Sequence, residues 1–163
     1  SFLKDFFINK MSLQNISVLG FSNNDSQFVV KSKDLSIKIN NQLSDSDEGE
    51  GNGPLEFLLA GIAGGVNAVG KIVAIEQNFD LKSIQIEITG TIEYKKSSGK
   101  KTRSRAGFKE INIVIKPVTN ASITAIKLWM DEVKERCPIY DNLTNATPIA
   151  ITVVKDYVLN KVA

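Results

Sequence analysis

The chain has 163 residues, 42% of them hydrophobic and 23% charged, with a formal net charge of +2 at pH 7. This suits one folded domain with a modest core and gives no overall pull toward polyanions. It holds no histidine and a single cysteine, which excludes Ser-His and Cys-His nucleophile pairs, histidine–metal centres and any intramolecular disulfide.

In chain order, the opening SFLKDFFINKM pairs Phe2 with Phe6 and Leu3 with Phe7 at i,i+4. It is too short and too charged for a secretory signal. It reads equally as a short docking helix or as an extension ahead of Met11. Residues 1–12 are therefore set apart as an N-terminal extension, and 13–163 form a single domain. Short strands are expected over 13–21, 26–32 and 35–40, with SNNDS as the turn between the first two. Residues 40–54 form a polar, acidic, glycine-rich loop. Its Asp45, Asp47, Glu48 and Glu50 lack calcium-loop spacing and read as a solvated surface.

Pro54 suits a helix start, Glu56 puts negative charge near its positive end, and the helix runs to about Gln77. Apolar residues cover nearly its whole circumference, so it is expected to be buried on all sides. Its longest uncharged apolar run, Phe57 to Gly70, is short of a bilayer span, and no membrane partner is expected. Yet it carries Gly61, Gly64, Gly65 and Gly70, each costing roughly 1 kcal/mol relative to alanine. Gly61 with Gly65, and Ala60 with Gly64, put small residues on one face, where a second backbone could approach closely. A second copy of the same helix, in a homodimer, would supply that backbone.

Alternation over 84–94 and 110–115 marks a long hairpin turning at KKSSGKK. Lys95, Lys96, Lys100, Lys101, Arg103, Arg105 and Lys109 gather at its tip. A solvated hairpin end is the simpler reading than a phosphate-binding surface. Only Tyr94 and Phe108 could stack on bases, so nucleic acid is not expected as a partner. Pro117 ends the second strand. From Asn120 as N-cap, Ile123, Ile126, Trp129, Met130, Val133 and Cys137 fall on one helical face, with Trp129 and Met130 read as core, and Pro138 stops that helix. Cys137 either closes this helix or opens a short one beginning at Pro138. TPIAITVVKDYVL supplies a last strand. The order β-β-β-α-β-β-α-β defines an α+β fold.

Three of these segments together resemble the OsmC / organic hydroperoxide resistance superfamily. They are NGPLEFLLAGIAGGVNAVGKIVAIEQNFDLKSIQIEITGTI, SRAGFKEINIVIKP and ERCPIYDNLTNATPIAITVV, in order over about residues 52–154. The resemblance implies a long central helix in an intertwined homodimer, with curved antiparallel sheets around two helices and sites at the subunit interface. It also implies hydroperoxide reduction by two cysteines. A peroxidatic thiolate in the long helix is activated by an N-terminal arginine and a glutamate near the helix start, and a resolving cysteine stands in the CP segment.

Carried over residue by residue, Cys137 takes the resolving position and Glu56 lies in the glutamate's helical turn. The peroxidatic cysteine of LAGCLN is replaced in IAGGVN by Gly65. The first arginine of the chain is Arg103, so the activating cation is missing as well. A thiolate nucleophile needs adjacent positive charge to form, and two-cysteine turnover is therefore not expected.

Three readings follow. The first is an OsmC-like protein without peroxidase chemistry, keeping a small apolar pocket beside Gly65, lined by Gly64, Asn67, Pro138 and Tyr140, that takes a small ligand. The second is a one-cysteine peroxide reductase using Cys137 and an external thiol. The third is a polyanion-binding accessory protein acting through the 95–109 hairpin. No cofactor or metal is expected, and the lone thiol fits a cytoplasmic setting.

Overall fold

The computed structural model describes residues 13–22, 27–40 and 53–155. The extension 1–12 and nearly all of the acidic loop fall outside the described residues. The elements are β1 (Leu19–Ser22), β2 (Gln27–Ser32), β3 (Leu35–Asn40), α1 (Pro54–Glu76), β4 (Ser83–Thr91), β5 (Glu110–Val118), α2 (Ile123–Arg136) and α3 (Pro138–Thr144). This is an α+β chain with two antiparallel sheets, β1-β2-β3 and β4-β5. It divides into two compact units, Ser1–Ala60 with Ile88–Asn112 and Gly61–Glu87 with Ile113–Ala163.

In the first unit, β2 is the central strand, pairing Gly20 with Val30 on one side and Val30 with Ile37 on the other. Val30 is its buried residue. At Gly20 the tip of the Phe28 ring lies against the backbone, where a Cβ would displace it. The β2–β3 turn holds Lys33 at φ +45°. The far part of the β4–β5 hairpin is closed by Lys109 N–H donating to Thr91 O at 2.8 Å.

In the second unit, α1 and α2 supply the core. Ile62, Val66, Gly70, Val73 and Ala74 recur at three- to four-residue spacing and form the one buried face of α1. Trp129, Val133 and Cys137 answer from α2 and its end, each about 1% exposed. The α1 terminus is a Schellman motif. Phe79 N–H donates to Ala74 O at 2.7 Å and Asn78 N–H to Ile75 O at 3.2 Å, with Asn78 in the left-handed region at φ +51°. That reversal turns Phe79 inward, where its ring stacks on Trp129 at 5.1 Å.

Five expectations need correction. The long helix is not buried on all sides, since Ile72 is 50% and Ile75 79% exposed; one chain supplies a packing partner for only one face. As built, α1 is long and apolar enough to cross a bilayer by length and composition alone, although its core face packs within the second unit. β5 continues through Pro117 to Val118, and the α2 N-cap is Ser122 rather than Asn120, its Oγ accepting from Ala125 N–H at 3.2 Å. Residues 145–155 form no strand. Ile149, Ile151, Val153 and Val154 are each more than 80% exposed, because a strand requires a ladder partner that the described residues do not offer there.

Candidate functional site

The site grows from the junction between α2 and α3. Proline at 138 disfavours helical geometry at the residue before it, and Cys137 is extended at φ −79°, ψ 112°. Its N–H still donates to Val133 O at 2.9 Å, while its carbonyl accepts from Asp141 N–H at 3.0 Å. Cys137 thus closes α2 and opens α3 at once, and both local readings of the sequence hold together. Two helix ends of opposite partial charge meet at this residue. Its side chain caps neither helix and is buried.

Across from it lies α1. A Cβ built on Gly65 would stand 3.5 Å from Cys137 Sγ, so the structure brings these two predicted residues together within the second unit. The same Cβ would be 2.6 Å from Ile139 Cγ1 and 3.0 Å from Ile139 Cβ, closer than real contacts allow. The room expected beside Gly65 is therefore taken by Ile139. This residue was missed in the sequence; its signal was its place in CPIY, one residue past the proline, in the first turn of α3.

One turn and a half along α1, Gly70 does a different job. Trp129 Nε1–H donates to Gly70 O at 2.8 Å, and a Cβ on Gly70 would meet the Trp129 ring at 3.1 Å. The missing side chain lets the Nε1–Cζ2 edge of the indole approach the helix closely and gives its buried N–H a partner. Gly61 and Gly64 have no such role, for a Cβ on either would meet nothing within 4 Å.

The remaining predicted residues are placed as follows. Glu56 is exposed in the first turn of α1. Gly64 and Pro138 are exposed, and Asn67 and Tyr140 half-buried. Asn67 lines a separate groove of about 490 Å³ with Lys71, Ala74, Ile75 and Ile84. The cations nearest Cys137 in sequence are already matched. Arg136 pairs with Glu76 and Glu132, and Lys134 with Asp131 at 3.5 Å. The Arg136 guanidinium, hydrogen-bonded to Glu76, holds that carboxyl below its ordinary range. Among the described residues no cluster of His, Cys, Asp and Glu could hold a metal ion.

Among the described residues one buried thiol thus faces a glycine between two packed helices, in an α+β chain with a three-stranded meander. The family profile for OsmC-like proteins matches residues 24–152, and the chain belongs to that family. It is 29% identical over 104 residues to a hydroperoxide reductase of Mycoplasma pneumoniae, covering 64% of this chain and 70% of that protein. The crystal structure of an OsmC-like protein from Mycoplasma pneumoniae superposes with a TM-score of 0.71 at 24% identity, over 82% of this chain and 89% of that one. An organic hydroperoxide resistance protein OsmC from Legionella pneumophila gives 0.61 at 16% identity, over 81% and 90%.

Proposed function

We propose that this chain is an OsmC-like protein that does not perform two-cysteine peroxide reduction and that works as a homodimer holding a small ligand at the subunit interface. The observation that carries the reading is the contact between Ile139 and Gly65 beside Cys137. In a two-cysteine cycle one sulfur takes oxygen from the peroxide and the second displaces it, closing a disulfide. Here the place of the first sulfur is a hydrogen, and an aliphatic side chain packs on it. The relative named a hydroperoxide reductase supports descent from such chemistry. Burial of Cys137 and the pairing of Arg136 and Lys134 with carboxylates speak against a one-cysteine enzyme, because a reactive thiolate needs access and uncommitted positive charge.

The homodimer is supported by the outer face of α1. Leu58, Gly61, Gly64, Ala68, Ile72 and Ile75 recur at three- to four-residue spacing and are exposed. A second α1 laid along this row would account for two glycines that otherwise only weaken the helix. Curved sheets intertwined around the paired helices would likewise give residues 145–155 a ladder to join. The ligand would then sit where the copies meet, near Gly64, Asn67, Pro138 and Tyr140.

The deciding assay is cumene hydroperoxide turnover with dithiothreitol as reductant. No rate above the uncatalysed reaction of the dithiol is expected. Robust turnover abolished by Cys137→Ser would overturn the proposal and establish the one-cysteine reading instead.

A further inference from the structure

The tip of the β4–β5 hairpin carries a charge that the rest of the chain does not share. Residues 93–109 contain seven lysines and arginines and one acid, Glu93, in a chain whose net charge is only +2. The remaining residues are therefore net negative, and positive charge is concentrated on one loop.

That loop is built rather than loose. Ser98 N–H donates to Tyr94 O at 2.9 Å, Gly99 N–H to Lys96 O at 3.1 Å and Lys100 N–H to Lys95 O at 2.9 Å. The last two bonds form a Schellman closure of a single helical turn, with Gly99 at φ +77°, where only glycine sits without strain. Ser97 and Ser98 hydroxyls tie back to Tyr94 O and Lys95 O. At the base Glu93 accepts from Lys109 at 2.8 Å, Ser104 Oγ at 2.7 Å and Lys95 at 3.2 Å. One carboxylate thus pins both ends of the loop and consumes the two cations nearest the strands. Lys96, Lys100, Lys101, Arg103 and Arg105 make no ion pair among the described residues, and all five are exposed.

We propose that this tip is a docking surface for the phosphate backbone of duplex nucleic acid, read without regard to sequence. Five uncommitted cations at one hairpin tip, Lys96 and Lys100 of them on the fixed turn, suit an array of phosphates. The aromatics that would stack single-stranded bases are absent from the exposed tip, since Tyr94 and Phe108 are half-buried. Residues 95–106 also present no large apolar side chain that could anchor in a lipid surface. The inference is independent of the peroxidase reading, and it revises the expectation that nucleic acid is no partner. What changes it is the ordered turn, which the composition of the loop does not reveal.

The test is fluorescence anisotropy of the full chain with a labelled 30-base-pair duplex of mixed sequence between 50 and 200 mM KCl. Binding is expected at 50 mM, with affinity falling steeply with salt. Neutralising five phosphates sets a log–log slope of about −4.5, at roughly −0.9 per contact. Lys100→Gln with Lys101→Gln should reduce the slope by about 2 while circular dichroism stays unchanged. Gly99→Val keeps every charge but strains the turn, and should weaken binding at least threefold. No binding at 50 mM, equal binding by the double variant, or tighter binding to a single strand of the same length would each overturn the proposal. So would tighter binding to phosphatidylserine vesicles than to the duplex.

Discussion

Gly65 and Ile139 share one small volume beside Cys137, and that fact sets what substitution there can do. Adding a methyl at 65 forces Ile139 or the start of α3 to move, and overpacking of this kind costs about 1–3 kcal/mol. Set against the roughly 1 kcal/mol of helix propensity that alanine returns, Gly65→Ala is expected to destabilise by up to about 2 kcal/mol net in urea unfolding, and Gly65→Ala with Ile139→Ala by clearly less than the two single costs added. Strict additivity would show that Ile139 is not what limits position 65. Gly65→Cys alone should likewise return only a trace of peroxidase turnover, since it adds the sulfur without room or a neighbouring cation. Glu93 is the second residue whose surroundings set its behaviour. Hydrogen bonds from Lys109, Ser104 and Lys95, in that order of weight, lower its pKa to about 2. A carboxyl depressed on folding contributes stability above its unfolded value, near 4.3, and loses it as pH falls through the folded one. Stability should therefore fall between about pH 4.5 and 2. Glu93→Gln should remove that part of the slope, and carboxyl chemical shifts would place the titration directly.

At the scale of elements, helix ends carry most of the architecture of the second unit. α1 stops because Asn78 accepts a left-handed backbone, and stopping there aims Phe79 at Trp129. Asn78→Gly removes the residual cost of a side chain at φ +51° and is expected to raise stability by up to about 1 kcal/mol. Asn78→Val, β-branched at that angle, should lower it. Thermal unfolding of both variants checks the sign, and a loss of stability in the glycine variant would count against this account of the terminus. The α2–α3 junction works through the opposite device, a proline that permits no helical continuation and leaves Cys137 as the hinge between two helices.

For the molecule as a whole, the unsettled surface is the outer face of α1. Since a Cβ at Gly61 meets nothing within 4 Å among the described residues and the position is exposed, Gly61→Leu is expected to leave a monomer folded and to improve its helix propensity. In a dimer packed along that face the same leucine would hold the two backbones apart. Sedimentation should therefore give a dimer for the unaltered chain at micromolar concentration, and a folded monomer for Gly61→Leu. A monomer in both cases would remove the homodimer and, with it, the proposed ligand position between copies.

By itself the sequence determined the long apolar helix, the strand hairpin and the amphipathic second helix, the α+β class, the family and the absence of a second cysteine. These rest on local periodicity and on residue identity, which need no knowledge of neighbours in space. Helix edges were misjudged where a cap decides them: Ser122 outcompetes Asn120 because its hydroxyl reaches Ala125 N–H, and β5 runs past Pro117. Only tertiary structure decided that Ile139 covers Gly65, that Gly70 exists for Trp129 while Gly61 and Gly64 face outward, and that the basic loop is a fixed turn pinned by Glu93. The physical reason is common to all three. Each depends on which atoms of distant residues meet within a few ångströms, and pattern along the chain carries direction and polarity but not that distance.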